Sequence, residues 1–184
     1  MGNIWHDIDP DRIAPAEFVA VIEISKGGKN KYELDKQTGM LMLDRVLFTS
    51  THYPANYGFI PRTFAEDGDP LDVLVLCQEA ILPLTLVKCR PIGIIGMVDN
   101  ETSDEKIIAV PVGDPSMAEY SDLSQLPQHT FSEISHFFEV YKSLEGKVTA
   151  VKSTMGREEA QRVIQSAIES YHRLFPNGAG SVTP

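Results

Sequence analysis

The chain has 184 residues, of which 42% are hydrophobic, and its 26 acidic and 16 basic side chains give a formal net charge of -10. This length supports one hydrophobic core and is short for two full domains, so we expect a single domain over residues 1–184, with its core at about 18–174 and a loose tail at 179–184. The acidic balance argues against a broad basic face for nucleic acid. An anionic substrate would instead be held through divalent cations on clustered carboxylates.

Neither the cysteines nor the apolar segments indicate a secreted or membrane protein. Cys77 and Cys89 both lie in apolar stretches and do not form a C-x-x-C pair, so buried thiols are expected, although a disulfide between them stays open. The first twenty residues lack the basic and then apolar pattern of a signal peptide, and no apolar run reaches the ~20 residues that cross a bilayer. We therefore expect a cytoplasmic protein with no membrane partner.

Short β-branched and aliphatic runs separated by turn residues predict strands along most of the chain. The predicted strands are 18–24, 31–35, 40–46, 73–77, 92–98, 107–112 and 147–151. Their connections are too short for crossover helices, which favours a small barrel or sandwich over a parallel sheet. The fold class is therefore predicted to be mainly β with α (α+β), with a β-barrel core.

Two amphipathic helices are predicted near the end of the chain. The first begins at Thr130, which is spaced from Glu133 as in a capping box. Its apolar stripe, expected to pack on the barrel with Lys142 beside it, is Phe131, Ile134, Phe137, Phe138, Tyr141 and Leu144. The second helix, from about 158 to 174, ends at the Pro-Asn-Gly cluster 176–178. It is expected to bury Ala160, Val163, Ile164, Ala167, Ile168 and Tyr171.

Three aspartates are crowded into one short segment before a predicted strand. Residues 66–72 read Glu-Asp-Gly-Asp-Pro-Leu-Asp, so Asp67, Asp69 and Asp72 lie within six residues. Such crowding either raises carboxylate pKa values or recruits a hard cation such as magnesium, manganese or calcium. A solvated turn built on Asp-Gly and Asp-Pro is the alternative. The spacing does not fit an EF-hand loop, which needs glycine at the sixth position.

A second acidic cluster lies between two later strand patterns. It contains Asp99, Glu101, Asp104 and Glu105 and is followed by Lys106. A solvated hairpin loop explains such a cluster by itself. Two carboxylate loops attached to strand ends are also what the two halves of a multi-metal site require.

Basic and aromatic residues form a third group. The alternation of segment 31–35 puts Lys31, Glu33 and Asp35 on one strand face, with Tyr32 and Leu34 toward the core. Arg45 lies on the expected return strand, so it and Lys31 either converge on one anion or belong to a cross-strand ladder of ion pairs. Tyr53 and Tyr57, beside proline and glycine, suit a packed turn or hydroxyl donors to an anion.

The order and spacing of these elements together resemble the soluble inorganic pyrophosphatases of the first family. The matching residues are Glu23, Lys31-x-Glu33, Asp44-Arg45, Tyr53-Pro-x-Asn-Tyr57-Gly, the Asp-Gly-Asp-Pro-Leu-Asp string at 67–72, Asp99, Asp104-x-Lys106 and His136-Phe-Phe-Glu-x-Tyr141-Lys142. The resemblance covers roughly residues 18–171. It implies a closed OB-like barrel flanked by two C-terminal helices, hydrolysis of inorganic pyrophosphate, several Mg²⁺ ions per active site, and a homohexamer.

The resemblance also implies a role for each matching residue. Asp69 is the implied general base. The implied metal ligands are Asp67, Asp72, Asp99, Asp104 and Glu33. The implied phosphate-binding residues are Lys31, Arg45, Tyr57, Lys106, Tyr141 and Lys142, with Glu23 and Tyr53 close by. Asn100 departs from the second acid that many relatives carry after Asp99, and Val140 departs from a histidine of a familiar bacterial form.

Two other classes of protein fit the sequence less well. A calcium-binding β-module without activity would leave Lys31, Arg45, Lys106 and Lys142 without a purpose. An OB-like barrel that binds single-stranded nucleic acid would need a basic groove with stacking aromatics, which the net charge of -10 and the 8% aromatic content do not suggest. The helix with His136 and Phe137 was expected to supply a symmetric contact between subunits.

Overall fold

The computed structural model describes residues 2–99 and 102–176, without the side chains of residues 99 and 102. The strands are β1 (Ile13–Ala14), β2 (Glu17–Ile24), β3 (Asn30–Leu34), β4 (Leu41–Val46), β5 (Asn56–Phe59), β6 (Asp72–Val75), β7 (Leu86–Asp99), β8 (Thr102–Pro111) and β9 (Thr149–Gly156). The helices are α1 (Gln128–Val140) and α2 (Arg157–Leu174). The predicted class, mainly β with α, is confirmed.

Five of the strands close into a barrel. The large sheet has the order β1-β2-β5-β6-β8-β7-β9, and β2 also pairs with β7. This extra pairing joins β2, β5, β6, β8 and β7 into a closed ring. None of these five strands is therefore an edge strand. Strands β6 and β8 are parallel, whereas the other ring pairs are antiparallel. Strands β3 and β4 form a separate hairpin.

The two helices cover different faces of the barrel strands. Consecutive residues of a strand point to opposite faces, and Val73 and Leu74 of β6 accordingly belong to separate buried clusters. The cluster of Leu74 contains Phe137 and Phe138 of α1. The cluster of Val73 contains Ile164 of α2. Each strand face is therefore covered by a different helix.

Differences from the predicted strands arise where turn-forming residues occur inside strands. Strand β5 was not predicted because Asn56 and Gly58 are typical turn residues. Gly58 is needed there, since a Cβ atom would lie 1.8 Å from the Val21 carbonyl oxygen on β2. Strand β7 begins at Leu86, well before the predicted start at residue 92, and passes Pro91 through an irregularity in its register.

The positions of the two helices agree with the prediction better than the capping residues of the first helix do. The capping box of Thr130 and Glu133 is wrong, because α1 starts at Gln128 after Pro127 and has no side-chain cap. Leu144 is 68% exposed because it follows the end of the helix, so its place in the apolar stripe is also wrong. The second helix does bury Ala160, Ile164, Ala167 and Tyr171. Its predicted stop at 176–178 lies mostly outside the described residues.

The cysteines are both free, Cys89 buried and Cys77 half-buried, which answers the open question of a disulfide. Burial raises the pKa of the Cys89 thiol. In the described parts of the chain, no helix combines the length and apolar character of a membrane span.

Candidate active site

A cavity of about 280 Å³ opens among the β3–β4 hairpin, the loop before β6, strand β8 and the end of α1. Most of the predicted site residues line it. These are Glu23, Lys31, Glu33, Tyr57, Asp67, Asp69, Asp72, Asp104, Lys106, Tyr141 and Lys142. Arg45 and Tyr53 do not line it, and the side chain of Asp99 lies outside the described part of the structure.

Strand alternation and register explain why residues distant in sequence meet in this cavity. On β8, Asp104 and Lys106 are two positions apart and share a face. The parallel pairing of β6 with β8 sets Asp72 opposite Lys106. Asp72 is also the first residue of β6, so the aspartate-rich loop ends at the same point. The two carboxylate segments of the sequence therefore meet at one end of the barrel.

The aspartate-rich loop is a tight turn with its own hydrogen bonds. The Asp69 amide donates to Asp67 Oδ1 at 3.0 Å, and the Ala65 amide donates to the Asp69 carbonyl oxygen at 2.8 Å. Gly68 sits between them at φ +86°, a conformation that favours glycine. Partial burial raises the pKa of Asp67, and the nearby Asp72 carboxylate adds to this effect. The turn thus gathers negative charge at the cavity wall.

Lys106 is a buried cation that lines the cavity. Its Nζ donates to Asp72 Oδ2 at 2.6 Å and to Asp104 Oδ1 at 2.7 Å, and lies 5.6 Å from the centre of the Tyr57 ring. The Tyr57 hydroxyl also donates to Asp72 Oδ2, at 2.6 Å. Burial by itself lowers the pKa of Lys106, but Asp72 and Asp104 outweigh it and raise the net pKa. The ammonium group therefore stays charged between two carboxylates.

Lys31 and Arg45 were predicted either to converge on one anion or to belong to a cross-strand ladder of ion pairs. In the structure they form the ladder. Lys31 and Arg45 are paired positions of β3 and β4. Lys31 Nζ contacts Glu33 and Asp44, whereas Arg45 contacts Asp44 and donates through Nε to Glu145 Oε1 at 2.9 Å. Only Lys31 of the two lines the cavity. The Nη2 atom of Arg45 is buried without a hydrogen-bond partner.

Glu23 lines the cavity, whereas Tyr53 does not. Glu23 is 7% exposed and accepts a hydrogen bond from the Leu34 amide at 2.8 Å, which ties β2 to the hairpin. Burial, reinforced by Asp72, raises the pKa of Glu23 to about 8. The ring centres of Tyr53 and Phe137 are 4.8 Å apart. Tyr53 is therefore a packing residue, as the packed-turn alternative predicted.

The donor set suits a hard cation. Asp67, Asp72 and Asp104 line both the main cavity and a smaller one of about 10 Å³ behind it, which is space for one water-sized sphere. Carboxylate oxygens are the preferred ligands of magnesium. Among the side chains that the structure describes, which exclude that of Asp99, no three acidic, histidine or cysteine groups stand close enough to hold a metal ion. The Lys106 ammonium stands between two of these carboxylates instead.

Two residues at this site were missed from the sequence. Lys36 lines the cavity and forms an ion pair with Asp69 Oδ1, and the nearly buried Glu145 holds Arg45. Lys36 follows the alternating strand in a turn, and Glu145 follows the end of α1. Neither position belongs to a periodic pattern, so no sequence signal marked them.

Comparisons with known proteins agree with this architecture. A family model described as inorganic pyrophosphatase matches residues 20–172. The chain is 48% identical over 171 residues to soluble inorganic pyrophosphatase 2 of Chlamydomonas reinhardtii, covering 93% of this chain and 89% of the relative. It is 50% identical over 167 residues to soluble inorganic pyrophosphatase PPA1 of Solanum tuberosum, covering 91% of this chain and 79% of the relative.

Solved structures give the same result. An inorganic pyrophosphatase of Helicobacter pylori matches with a TM-score of 0.84 and 45% identity, covering 86% of this chain and 95% of that one. That of Thermus thermophilus matches with a TM-score of 0.83 and 41% identity, covering 86% and 92%. The closed barrel has the OB-like fold of these pyrophosphatase enzymes. The chain belongs to the inorganic pyrophosphatase family.

Proposed function

We propose that this protein hydrolyses inorganic pyrophosphate to two phosphates with the help of Mg²⁺. The observation that carries the proposal is the gathering of Asp67, Asp69 and Asp72 with Lys31 and Lys142 around one cavity. Pyrophosphate is a compact polyanion whose cleavage needs charge neutralisation, a positioned nucleophile and stabilisation of the departing phosphate. Family membership supports this substrate, since the relatives named above are pyrophosphatases.

The carboxylates are the proposed magnesium ligands. Asp67, Asp72, Asp99 and Asp104 would hold the enzyme's ions, and Glu33 would meet a metal carried by the substrate. Bound magnesium supplies charge neutralisation and lowers the pKa of coordinated water. The oxygen-only donor set supports magnesium over softer metals.

Asp69 is the proposed general base. Its side chain is 51% exposed and lines the cavity, so it can meet a water molecule there. Lys36 engages Oδ1 of this carboxylate, which leaves Oδ2 as the oxygen proposed to accept the proton. The proton transfer thus ends on a carboxylate oxygen at the rim of the cavity.

The cations and tyrosines are the proposed phosphate ligands. Lys31, Tyr141 and Lys142 line the same cavity as the aspartates and would hold the departing phosphate. Tyr57 and Lys106 line the same cavity and are proposed to bind phosphate as well, while both also contact Asp72. Arg45 stays a predicted ligand, and its Nη2 is the atom proposed to reach a phosphate, because Nε and Nη1 are used by Glu145 and Asp44. These cations override the net charge of -10 locally.

The choice of metal gives a direct test of this proposal. Magnesium is expected to activate hydrolysis and calcium to inhibit it, because calcium's larger and looser coordination would occupy the same carboxylates without holding the reactants at attacking distance. The measurement is phosphate release from pyrophosphate in magnesium, in calcium, and in mixtures of the two. Full activity with calcium as the only divalent ion, or in excess chelator, would contradict a magnesium-assisted mechanism.

We propose that this single-domain chain assembles into a homohexamer in the cytoplasm. No nucleic-acid or membrane partner is proposed. The contact expected from α1 needs correction, because Phe137 is 3% exposed and packs inside its own subunit. His136 is exposed on that helix, and the exposed Leu144 and Val148 beyond it offer apolar surface. Light scattering at micromolar concentration is expected to give a hexamer mass, and a monomeric mass would overturn this part of the proposal.

A further inference from the structure

The N-terminal segment, residues 2–8, precedes the residues matched by the family model, which begin at residue 20. Trp5 in this segment is buried at 4% exposure, and its Nε1 donates to the Thr63 carbonyl oxygen at 3.0 Å. Its ring packs against Phe64 and Phe175, with centres 6.4 and 5.5 Å away. Trp5 is therefore fixed by a hydrogen bond and by aromatic packing on the barrel.

The turn between β3 and β4 rests on this segment. The Asn3 side chain donates to the Lys36 carbonyl oxygen at 2.8 Å. Gly39 approaches so closely that a Cβ atom on it would lie 2.9 Å from the Gly2 carbonyl oxygen. Lys36 extends from this turn, and its Nζ lies 5.9 Å from the centre of the Trp5 ring, within the range of a cation–π contact.

From the Trp5 ring, Lys36 reaches the aspartate-rich loop. Its Nζ forms an ion pair with Asp69 Oδ1 and lies 3.5 Å from the Gly68 carbonyl oxygen. Lys36 also lines the cavity. The contacts thus run without a gap from Trp5, through Lys36, to the proposed general base.

We propose that Lys36, held against the face of Trp5, is a positioning residue that fixes the Asp69 carboxylate and its loop at the rim of the cavity. This inference rests on the proposed function. Lys36 acts through Asp69 and leaves the pyrophosphate to the other cations. The N-terminal segment is therefore part of the apparatus that sets the geometry of the site, although it lies outside the family match.

Stability and activity should separate at this contact. Both side chains of the Lys36–Asp69 pair are 51% exposed, and exposed ion pairs contribute little to the free energy of unfolding. Misplacement of a reacting group by about 1 Å, in contrast, can cost about 10²-fold in rate. Loss of Lys36 should therefore lower turnover without unfolding the protein.

Three variants test the role of Lys36. Lys36→Met keeps the length of the stem without the charge, and we expect it to lower kcat about 10-fold while KM for pyrophosphate changes by less than about 3-fold. Lys36→Arg restores a cation and is expected to recover most of that loss. Lys152→Met, at an exposed lysine on β9 outside the cavity, is the matched control and is expected to behave as wild type.

The contact between Lys36 and the Trp5 ring is tested by a double-mutant cycle. Trp5→Leu keeps apolar volume but removes the ring face, and it is expected to lower kcat by up to about 10-fold and to add little to Lys36→Met. If Trp5→Leu does not fold, Trp5→Phe takes its place in the cycle, with a smaller drop that again adds little to Lys36→Met. Fully multiplicative losses in the cycle would overturn the coupling of Trp5 to Lys36.

The remaining outcomes separate this inference from the proposed function. An unchanged kcat in Lys36→Met would overturn it, and so would a raised KM at constant kcat, which would make Lys36 a direct phosphate ligand. A wild-type protein without pyrophosphate hydrolysis would overturn the proposed function and this inference with it. An active wild type with unaffected Lys36 variants would overturn the inference alone.

Discussion

Replacing Asp69 with asparagine is expected to lower kcat for pyrophosphate by about 10²- to 10⁴-fold at saturating magnesium. Asparagine keeps the size of the side chain and leaves the amide of residue 69 free to donate to Asp67 Oδ1, so the turn should persist. The proton acceptor is lost, and added magnesium cannot replace it. The measurement is steady-state phosphate release over a magnesium titration, with circular dichroism as the check on folding.

Asp72→Asn is the matched comparison in the same loop. Asp72 accepts hydrogen bonds from Tyr57 and Lys106 and is a proposed metal ligand, so its loss should appear mainly as a higher magnesium requirement. Raising the metal concentration should relieve part of that defect. Near-normal turnover in Asp69→Asn, or its rescue by magnesium to the same degree as Asp72→Asn, would show that Asp69 is not the base.

Replacing Lys106 with methionine is expected to lower the free energy of unfolding by about 2–4 kcal/mol in the absence of divalent metal. The Lys106 side chain is 3% exposed and its ammonium group is shared by Asp72 and Asp104, so its removal leaves two carboxylates close together without a cation. The destabilisation is read as a lower urea midpoint at pH 7, with an unchanged slope.

Magnesium should reverse part of the Lys106→Met defect, because a divalent cation bound by the same carboxylates restores the missing positive charge. Lys152→Met again serves as the exposed-lysine control, with an expected change within about 0.5 kcal/mol. An unchanged urea midpoint in Lys106→Met would contradict the view that Lys106 compensates the crowded carboxylates.

The parts of the site that follow strand periodicity could be predicted from the sequence. Alternation put Lys31 and Glu33 on one face, and both line the cavity, although Tyr32 and Leu34 of the other face line it too and Asp35 does not. The apolar spacing of α1 likewise carried Tyr141 inward, where it is 4% exposed. Meeting of the two carboxylate segments required the parallel pairing of β6 with β8, which the short strand patterns did not reveal.

The parts that depend on a single long-range contact could not be predicted. Periodicity states which face of a strand a residue occupies but not which partner it meets, so the pairing of Arg45 with Glu145, one hundred positions away, left no trace in the sequence. Lys36 belongs to a turn, and Trp5 belongs to a segment without periodic structure. Strand β5 was hidden by Asn56 and Gly58, whose local preference for turns was overridden by pairing on both sides.

Phosphate release by the purified protein from pyrophosphate, with and without magnesium, tests the central claim most directly. With magnesium, the wild-type chain is expected to release two phosphates for each pyrophosphate consumed, and the Asp69→Asn protein, prepared in the same way, should show a rate at least about 10²-fold lower. In excess chelator, both should be inactive. A wild-type protein that releases no phosphate above the buffer rate in magnesium, or one whose rate is undiminished by chelator, would contradict the account.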